Sequence, residues 1–362
     1  YGGINESLDE KGISHFIEHM LYKGTRTRNS KQIAEEIERR GGILNGFTDE
    51  QITAYWTKAP SKYLFEILDV LTDMVKNPLF DEKEMDKERK VIFEEMKMIK
   101  DNPIMFVQTE IKDYLYEDPF GPPLIGTEKS MSSINREKMI RKFNEIYKSS
   151  NMIFVIIGDA DFEKICDYLE KNFEKDITKV LKFDIKLENR QEIIKRKGID
   201  QSQLILANHV PTAKEKLHYA AIVLNVLMAG GMSSRLFSEI REKRNLAYSV
   251  KGGVNIDKDY GYNSIYVGTS KENIEQVKKL ILDEFEKVSQ ELGEKELNSV
   301  KEQIIGNHLV SKEDSQDEMV FLLGSEIAGN AEESLEFEKN IKDVKLGDVK
   351  QLAKIKNYSF LA

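Results

Sequence analysis

A chain of 362 residues has room for about two domains, and its 40% hydrophobic and 32% charged fractions are those of an ordinary folded protein. A net charge of −9 with no basic, aromatic-studded stripe argues against nucleic acid, and no apolar run approaches the ~20 residues that span a bilayer. The lone Cys166 excludes an internal disulfide and any CxxC motif, and reads as a buried filler in a reducing compartment.

In chain order, apolar periodicity predicts helices at 13–22, 31–40, 62–76, 82–100, 104–117, 135–148 and 161–174. Strand patterns alternate with them. GGILNGFTDEQITAYWTKA, at 41–59, carries two β-rich runs about a TDE turn, with Trp56 as a core residue, and NMIFVIIG reads as a buried strand. The charged stretch 179–197 has no helical stripe and reads as a linker between a first domain, 1–178, and a second, 198–362. Helices follow near 212–229, 233–244, 271–291, 293–311 and 315–328, with a hairpin at 247–269. Sliding the chain by 203 positions lays EEIERRGGILNG (35–46) over SEIREKRNLAYS (238–249), each leading into a hairpin and then a helix. The expected architecture is an α+β duplication.

SHFIEH, in the first helix, sets His15 and His19 four residues apart and so on one face, with Glu18 beside them. Imidazole nitrogens and carboxylate oxygens are the donors zinc favours, and a catalytic zinc takes three protein ligands and keeps one position open. The plainer alternative is a polar helix face without a metal. Under the offset of 203 these positions become His218, Ala221 and Ile222, so only the first half holds the set. In the 82–100 helix, capped by Asp81, residues Met85, Glu88, Ile92, Glu95 and Ile99 recur at spacings of 3, 4, 3 and 4 as one inward stripe. Carboxylates in an apolar seam require a partner, either a metal or a Lys or Arg side chain. Glu94, about 100° off the stripe, is the weaker ligand candidate. His209, His218 and His308 lack ligand spacing, and AGGMSSR is neither a Walker loop nor GxGxxG, so no nucleotide is expected.

HFIEH, followed 76 residues after His19 by Glu95 in ERKVIFEE, resembles the inverted-zincin peptidases of the pitrilysin, insulysin and mitochondrial processing peptidase family, peptidase family M16. KGT, GGILNGFT and GGMSSRLFSEIREKRNLAYSV extend that resemblance over nearly the whole chain, in the short, two-domain form. It implies two duplicated domains, each a mostly antiparallel sheet packed with helices, and a zinc-dependent metalloendopeptidase that cuts extended, unstructured peptides. By the same resemblance one Zn²⁺ per chain is held by His15, His19 and Glu95. Glu18 is the general base that activates the zinc-bound water, and Glu88 is a supporting carboxylate. Asn45 and Gly46, the latter where the family usually has Ala, lie on a strand edge that pairs with the substrate. Arg241 and Tyr248, seven residues apart, match an Arg/Tyr pair suited to donating to a substrate carbonyl or oxyanion.

The resemblance also implies a chamber closed by a second subunit, most simply a homodimer, with peptide substrate as the other partner; charge and apolar-run length argue against nucleic acid and membrane. The alternative is a catalytically inactive peptide-binding or scaffold subunit, a kind of relative that loses the metal motif retained here. A cytoplasmic location is the default expectation. YGGINES reads as the middle of a domain, so an upstream segment, targeting or structural, is expected to be missing.

Overall fold

The computed structural model describes residues 1–196, 198 and 201–362. The first helices and strands are α1 (Ile13–Leu21), α2 (Ser30–Glu38), β1 (Ile43–Thr48), β2 (Thr53–Lys58), α3 (Leu64–Lys76), α4 (Glu82–Asp101), α5 (Pro103–Leu115), α6 (Glu128–Ser133), α7 (Arg136–Ile146) and α8 (Phe162–Asn172). They are followed by β3 (Gln191–Glu192), β4 (Ser202–His209), α9 (His218–Ala229), a π-helical turn at Phe237–Glu242, β5 (Ala247–Ile256) and β6 (Gly261–Thr269). α10 (Ile274–Glu291), α11 (Glu294–Ser311), α12 (Ser315–Ala328), α13 (Phe337–Asp343), α14 (Leu346–Leu352) and β7 (Ser359–Leu361) complete the chain. The order helix, helical segment, two strands, two helices occurs once from α1 to α4 and again from α9 to α11, as the offset of 203 anticipates. Among the described residues no helix is long and apolar enough to cross a membrane.

Two compact units result, one of Tyr1–Met98 with Asp118–Asp184 and one of Ile99–Glu117 with Ile185–Ala362. The division differs from the sequence reading of 1–178 and 198–362 for a packing reason. α5 lies on β4 and β7 with Val107, Ile111 and Leu115 buried, and Ser359 Oγ donates to the Tyr114 carbonyl at 2.6 Å. The stretch read as a linker is also structured at its end: Glu188 and Arg190 amides donate to the Leu115 and Tyr114 carbonyls at 2.7 and 3.0 Å, and Gln191–Glu192 enters the sheet.

The second unit is built on a five-stranded sheet of order β3-β7-β4-β6-β5, antiparallel except for the β3–β7 pair. Its central strand β4 escapes a period-two reading because Leu204 to Asn208 are all buried, as in a strand covered on both faces. In the first unit β1 and β2 form an antiparallel ribbon with Asn45 opposite Trp56 and Gly46 opposite Tyr55. Residues 152–157, expected as a buried strand, are irregular, and Ile153 and Phe154 are exposed. An apolar β-forming run becomes a strand only where another strand pairs with it, and among the described residues none does. Trp56 and Cys166, expected in the core, are both only half-buried.

Within the first unit, α1 buries Ile13, Phe16, Ile17, Met20 and Leu21 against Met85 and Ile92 of α4 and Met139, Phe143 and Ile146 of α7. Each such side chain contributes roughly 1.5–3 kcal/mol by leaving water. The turn after α1 is fixed by Asp73 on α3, whose Oδ2 accepts from Thr25 Oγ1 at 2.5 Å, Thr27 Oγ1 at 2.7 Å and Arg28 Nη1 at 2.9 Å. Burial alone would raise the Asp73 carboxyl. The donors from Thr25, Thr27, Asn77 and Arg28 outweigh it and hold the group below its usual range.

An acid whose folded value is depressed adds stability that is complete above its unfolded pKa of about 3.9 and is lost as the pH falls through the folded value. We therefore expect Asp73→Ala to cost about 2–4 kcal/mol in urea denaturation at pH 7, with part of that difference disappearing below about pH 4.

Candidate metal centre

The position of α1 is set before its first turn. Gly12 has φ +92°, and a Cβ there would lie 2.7 Å from the Ile125 carbonyl oxygen and 2.8 Å from Met131 Sδ, so glycine is required for both conformation and space. Glu6, fully buried, accepts from the Gly12 amide at 3.0 Å and the Ser14 amide at 2.8 Å, placing a carboxylate on the positive end of the helix. Burial pushes the Glu6 carboxyl up, opposed by Lys11 and by those amides. The sequence reading missed Glu6; an acid a few residues ahead of a helix start was the available signal.

At about 100° per residue, the apolar positions 13, 16, 17, 20 and 21 of α1 share one face, and His15, Glu18, His19 and Tyr22 share the opposite one. On that second face His15 Nε2 and His19 Nε2 lie 3.2 Å apart, with ring centroids at 4.6 Å. Glu95 Oε2, from α4, lies 3.8 Å from His15 Nε2 and 3.7 Å from His19 Nε2. Tetrahedral zinc with bonds of roughly 2.0–2.1 Å separates its ligand atoms by about 3.3 Å. The two imidazole nitrogens meet that spacing and the carboxylate oxygen sits about half an ångström wide of it, so the donor set fits the ion. Glu18 also comes within 4.8 Å of both histidines, measured between potential ligand atoms. One of its oxygens, however, accepts from Thr48 Oγ1 of β1 at 3.3 Å.

α4 is held in register by its own cap and by Arg89. Asp81 Oδ1 accepts from the Lys83 and Glu84 amides at 2.9 and 3.1 Å, and Arg89 lies over the Phe16 ring at 5.1 Å while donating to the Ile134 and Met131 carbonyls. Of the two acids on the inward stripe, Glu95 reaches the histidines and Glu88 meets both expected kinds of partner. Glu88 Oε2 contacts His19 Nδ1 at 3.2 Å and its Oε1 pairs with Lys23 Nζ at 2.6 Å. A carboxylate on Nδ1 leaves Nε2 as the free donor atom and fixes the ring plane. His15 has no such support: its Nδ1 is buried without a hydrogen-bond partner among the described residues.

The electrostatics suit ligation. Burial, with His19 adding to it, lowers His15 to about 4, so its imidazole is neutral and free to ligate at pH 7. Burial raises Glu18 above the ordinary carboxylate range; His19 and the Thr48 hydrogen bond oppose that rise and Glu95 reinforces it. A carboxylate so placed is a stronger proton acceptor than one in water.

The remaining sequence candidates fall in two groups. Asn45 and Gly46 lie on β1, which pairs only with β2 among the described residues, and Asn45 Oδ1 accepts from the Gly46 amide at 2.9 Å. In the second unit, Arg241 lies in the π-helical turn, and Tyr248 occupies a β-bulge between Ala247 and Ser249. The bulge turns Tyr248 outward to 79% exposure, and the Arg241 guanidinium sits over its ring at 5.1 Å. Both are local irregularities of the kind that re-aim side chains at working surfaces. The structure thus brings Arg241 and Tyr248 together as a pair, and brings His15, Glu18, His19, Glu88 and Glu95 together as a separate cluster.

Residues 1–128 match the family model described as insulinase (peptidase family M16), and residues 133–304 match the one described as peptidase M16 inactive domain. A protein of Rickettsia felis described as an uncharacterized zinc protease is 34% identical over 316 residues, covering 86% of this chain and 76% of that protein. A Bacillus subtilis protein so described is 32% identical over 322 residues, covering 88% of this chain and 78% of its own length. The crystal structure of a Helicobacter pylori protease shares the fold with a TM-score of 0.92 at 22% identity, covering 100% of this chain and 92% of that one. A peptidase M16 inactive domain from Pseudomonas fluorescens does so with a TM-score of 0.87 at 21% identity, covering 99% of this chain and 90% of that one.

If Glu88 orients His19, Glu88→Gln lowers zinc affinity by roughly 10- to 100-fold in competition with a chromophoric chelator. Unchanged affinity would reduce Glu88 to the partner of Lys23.

Proposed function

The chain belongs to peptidase family M16, and on that premise we propose that it is a zinc-dependent metalloendopeptidase acting on extended, unstructured peptides. The observation that carries this reading is the convergence of His15 Nε2, His19 Nε2 and Glu95 Oε2 within 3.8 Å of one another, beside the buried Glu18. These three residues would hold one zinc ion per chain. When bound, zinc supplies a Lewis acid that polarises the scissile carbonyl and acidifies water.

Glu18 takes the proton of the attacking water on a carboxylate oxygen and returns it to the leaving amine; its raised proton affinity favours the first transfer. Glu88 and Lys23 keep His19 in one orientation through the cycle. The peptide adds as a strand to β1 at Asn45 and Gly46, with a backbone carbonyl taking the place of Asn45 Oδ1 on the Gly46 amide. Recognition of backbone admits many sequences but only extended ones.

Arg241 and Tyr248 supply donors for the substrate carbonyl or the oxyanion. In a homodimer closed around a chamber, this pair of one subunit would serve the centre of the other. The match of residues 133–304 to a model described as inactive accords with His218, Ala221 and Ile222 at the positions equivalent to the metal set. It leaves the donor set of the first unit intact, which favours a peptidase over a scaffold subunit.

Glu18→Gln is expected to retain zinc while peptide cleavage falls at least roughly 100-fold, read on a quenched fluorescent peptide with metal content measured alongside. Chelation should abolish wild-type cleavage and zinc restore it. A zinc-loaded Glu18→Gln protein with normal turnover would remove Glu18 from the reaction, and full activity in a protein that sediments only as a monomer would remove the shared chamber.

A further inference from the structure

Tyr22 stands one turn beyond Glu18 on the same face of α1. Its hydroxyl is buried and has no hydrogen-bond partner among the described residues, an unfavourable state for a phenol. Gly46, on the ribbon opposite, explains how the hydroxyl gets there. A Cβ at position 46 would lie 2.3 Å from Tyr22 Oη, 2.8 Å from the Ala54 carbonyl oxygen and 3.1 Å from Glu18 Oε1. The phenol therefore occupies space that any residue other than glycine would fill, and the same point adjoins the carboxylate of Glu18. The Tyr22 ring rests against Tyr55 at 6.0 Å between centroids, and Tyr55 shares a 2.7 Å hydrogen bond with Tyr147, so the phenol has a rigid floor.

We propose that Tyr22 is a positioning residue for Glu18, its hydroxyl admitted by Gly46 and closing on Glu18 Oε1 while Thr48 holds Oε2, so that tyrosine at 22 and glycine at 46 form a matched set. The inference rests on the peptidase reading for its catalytic consequence, but the matched set itself does not. With Oε2 engaged by Thr48 at 3.3 Å, donation from Tyr22 to Oε1 would complete the restraint of the carboxylate. Burial, then the charge of Glu18, then Tyr147 raise the Tyr22 phenol above its usual range, in keeping with a hydroxyl that stays a donor.

Three single variants and two double variants test this. In the metal-free protein, Gly46→Ala should lower the melting temperature by several degrees, and Tyr22→Phe in the same chain should recover a substantial part of that loss. Tyr22→Phe should likewise lose its effect on melting in a Glu18→Ala background, where the acceptor is gone. In the zinc-loaded protein, Tyr22→Phe should keep its metal content and a KM within about twofold of wild type, while kcat falls roughly 10- to 100-fold. Melting losses that simply add overturn the matched set. A wild-type kcat in Tyr22→Phe, with the melting pattern as expected, overturns positioning and leaves packing alone. If the wild-type chain cleaves no peptide, the peptidase reading fails, and the two melting cycles still decide whether Tyr22, Gly46 and Glu18 act together.

Discussion

The buried face of α1 is the constraint on which the site depends. Ile13, Phe16, Ile17, Met20 and Leu21 have at most 1% of their surface exposed, and their burial leaves the helix one orientation. His15, Glu18, His19 and Tyr22 must then point the other way, toward α4 and the β1–β2 ribbon. The Gly12 bend, the Glu6 cap and the Asp73 network at the two ends of the helix fix its position along its own axis. Donor atoms that are to share an ion tolerate little error in position, and packing and capping of this kind hold them to a few tenths of an ångström.

α4 completes the arrangement by the same device. Its stripe buries Met85, Glu88 and Ile92 and leaves Glu95 about one-third exposed. One helix thus delivers two acids with different work, Glu95 toward the imidazole Nε2 atoms and Glu88 behind His19. Neither pairing with a metal nor pairing with lysine describes Glu88 alone, since it contacts His19 and Lys23 together.

Local spacing made the two histidines, Glu18 and the acid stripe readable from the sequence, because helical contacts at i, i+3 and i+4 need no knowledge of the rest of the chain. Long-range packing set what was misread. The dividing line between units moved because α5 buries its apolar side on a sheet formed from residues far along the chain, and 152–157 carried strand character without a strand to pair with. Glu6 and Tyr22 were overlooked because their roles depend on a loop conformation and on the missing Cβ of Gly46. Arg241 and Tyr248 were legible only through family resemblance; the π-helical turn and the bulge that bring them together leave no periodic trace.

On the proposed reading His15, His19 and Glu95 hold the metal, while Glu18, whose ligand atom also lies within 4.8 Å of both histidines, stays off it. Anomalous diffraction at the zinc absorption edge from zinc-loaded crystals tests it most directly. One peak per chain at bonding distance from His15 Nε2, His19 Nε2 and a Glu95 oxygen, with Glu18 outside that shell, is the predicted result. A peak ligated by Glu18 in place of Glu95, or no peak at these residues, would contradict the account.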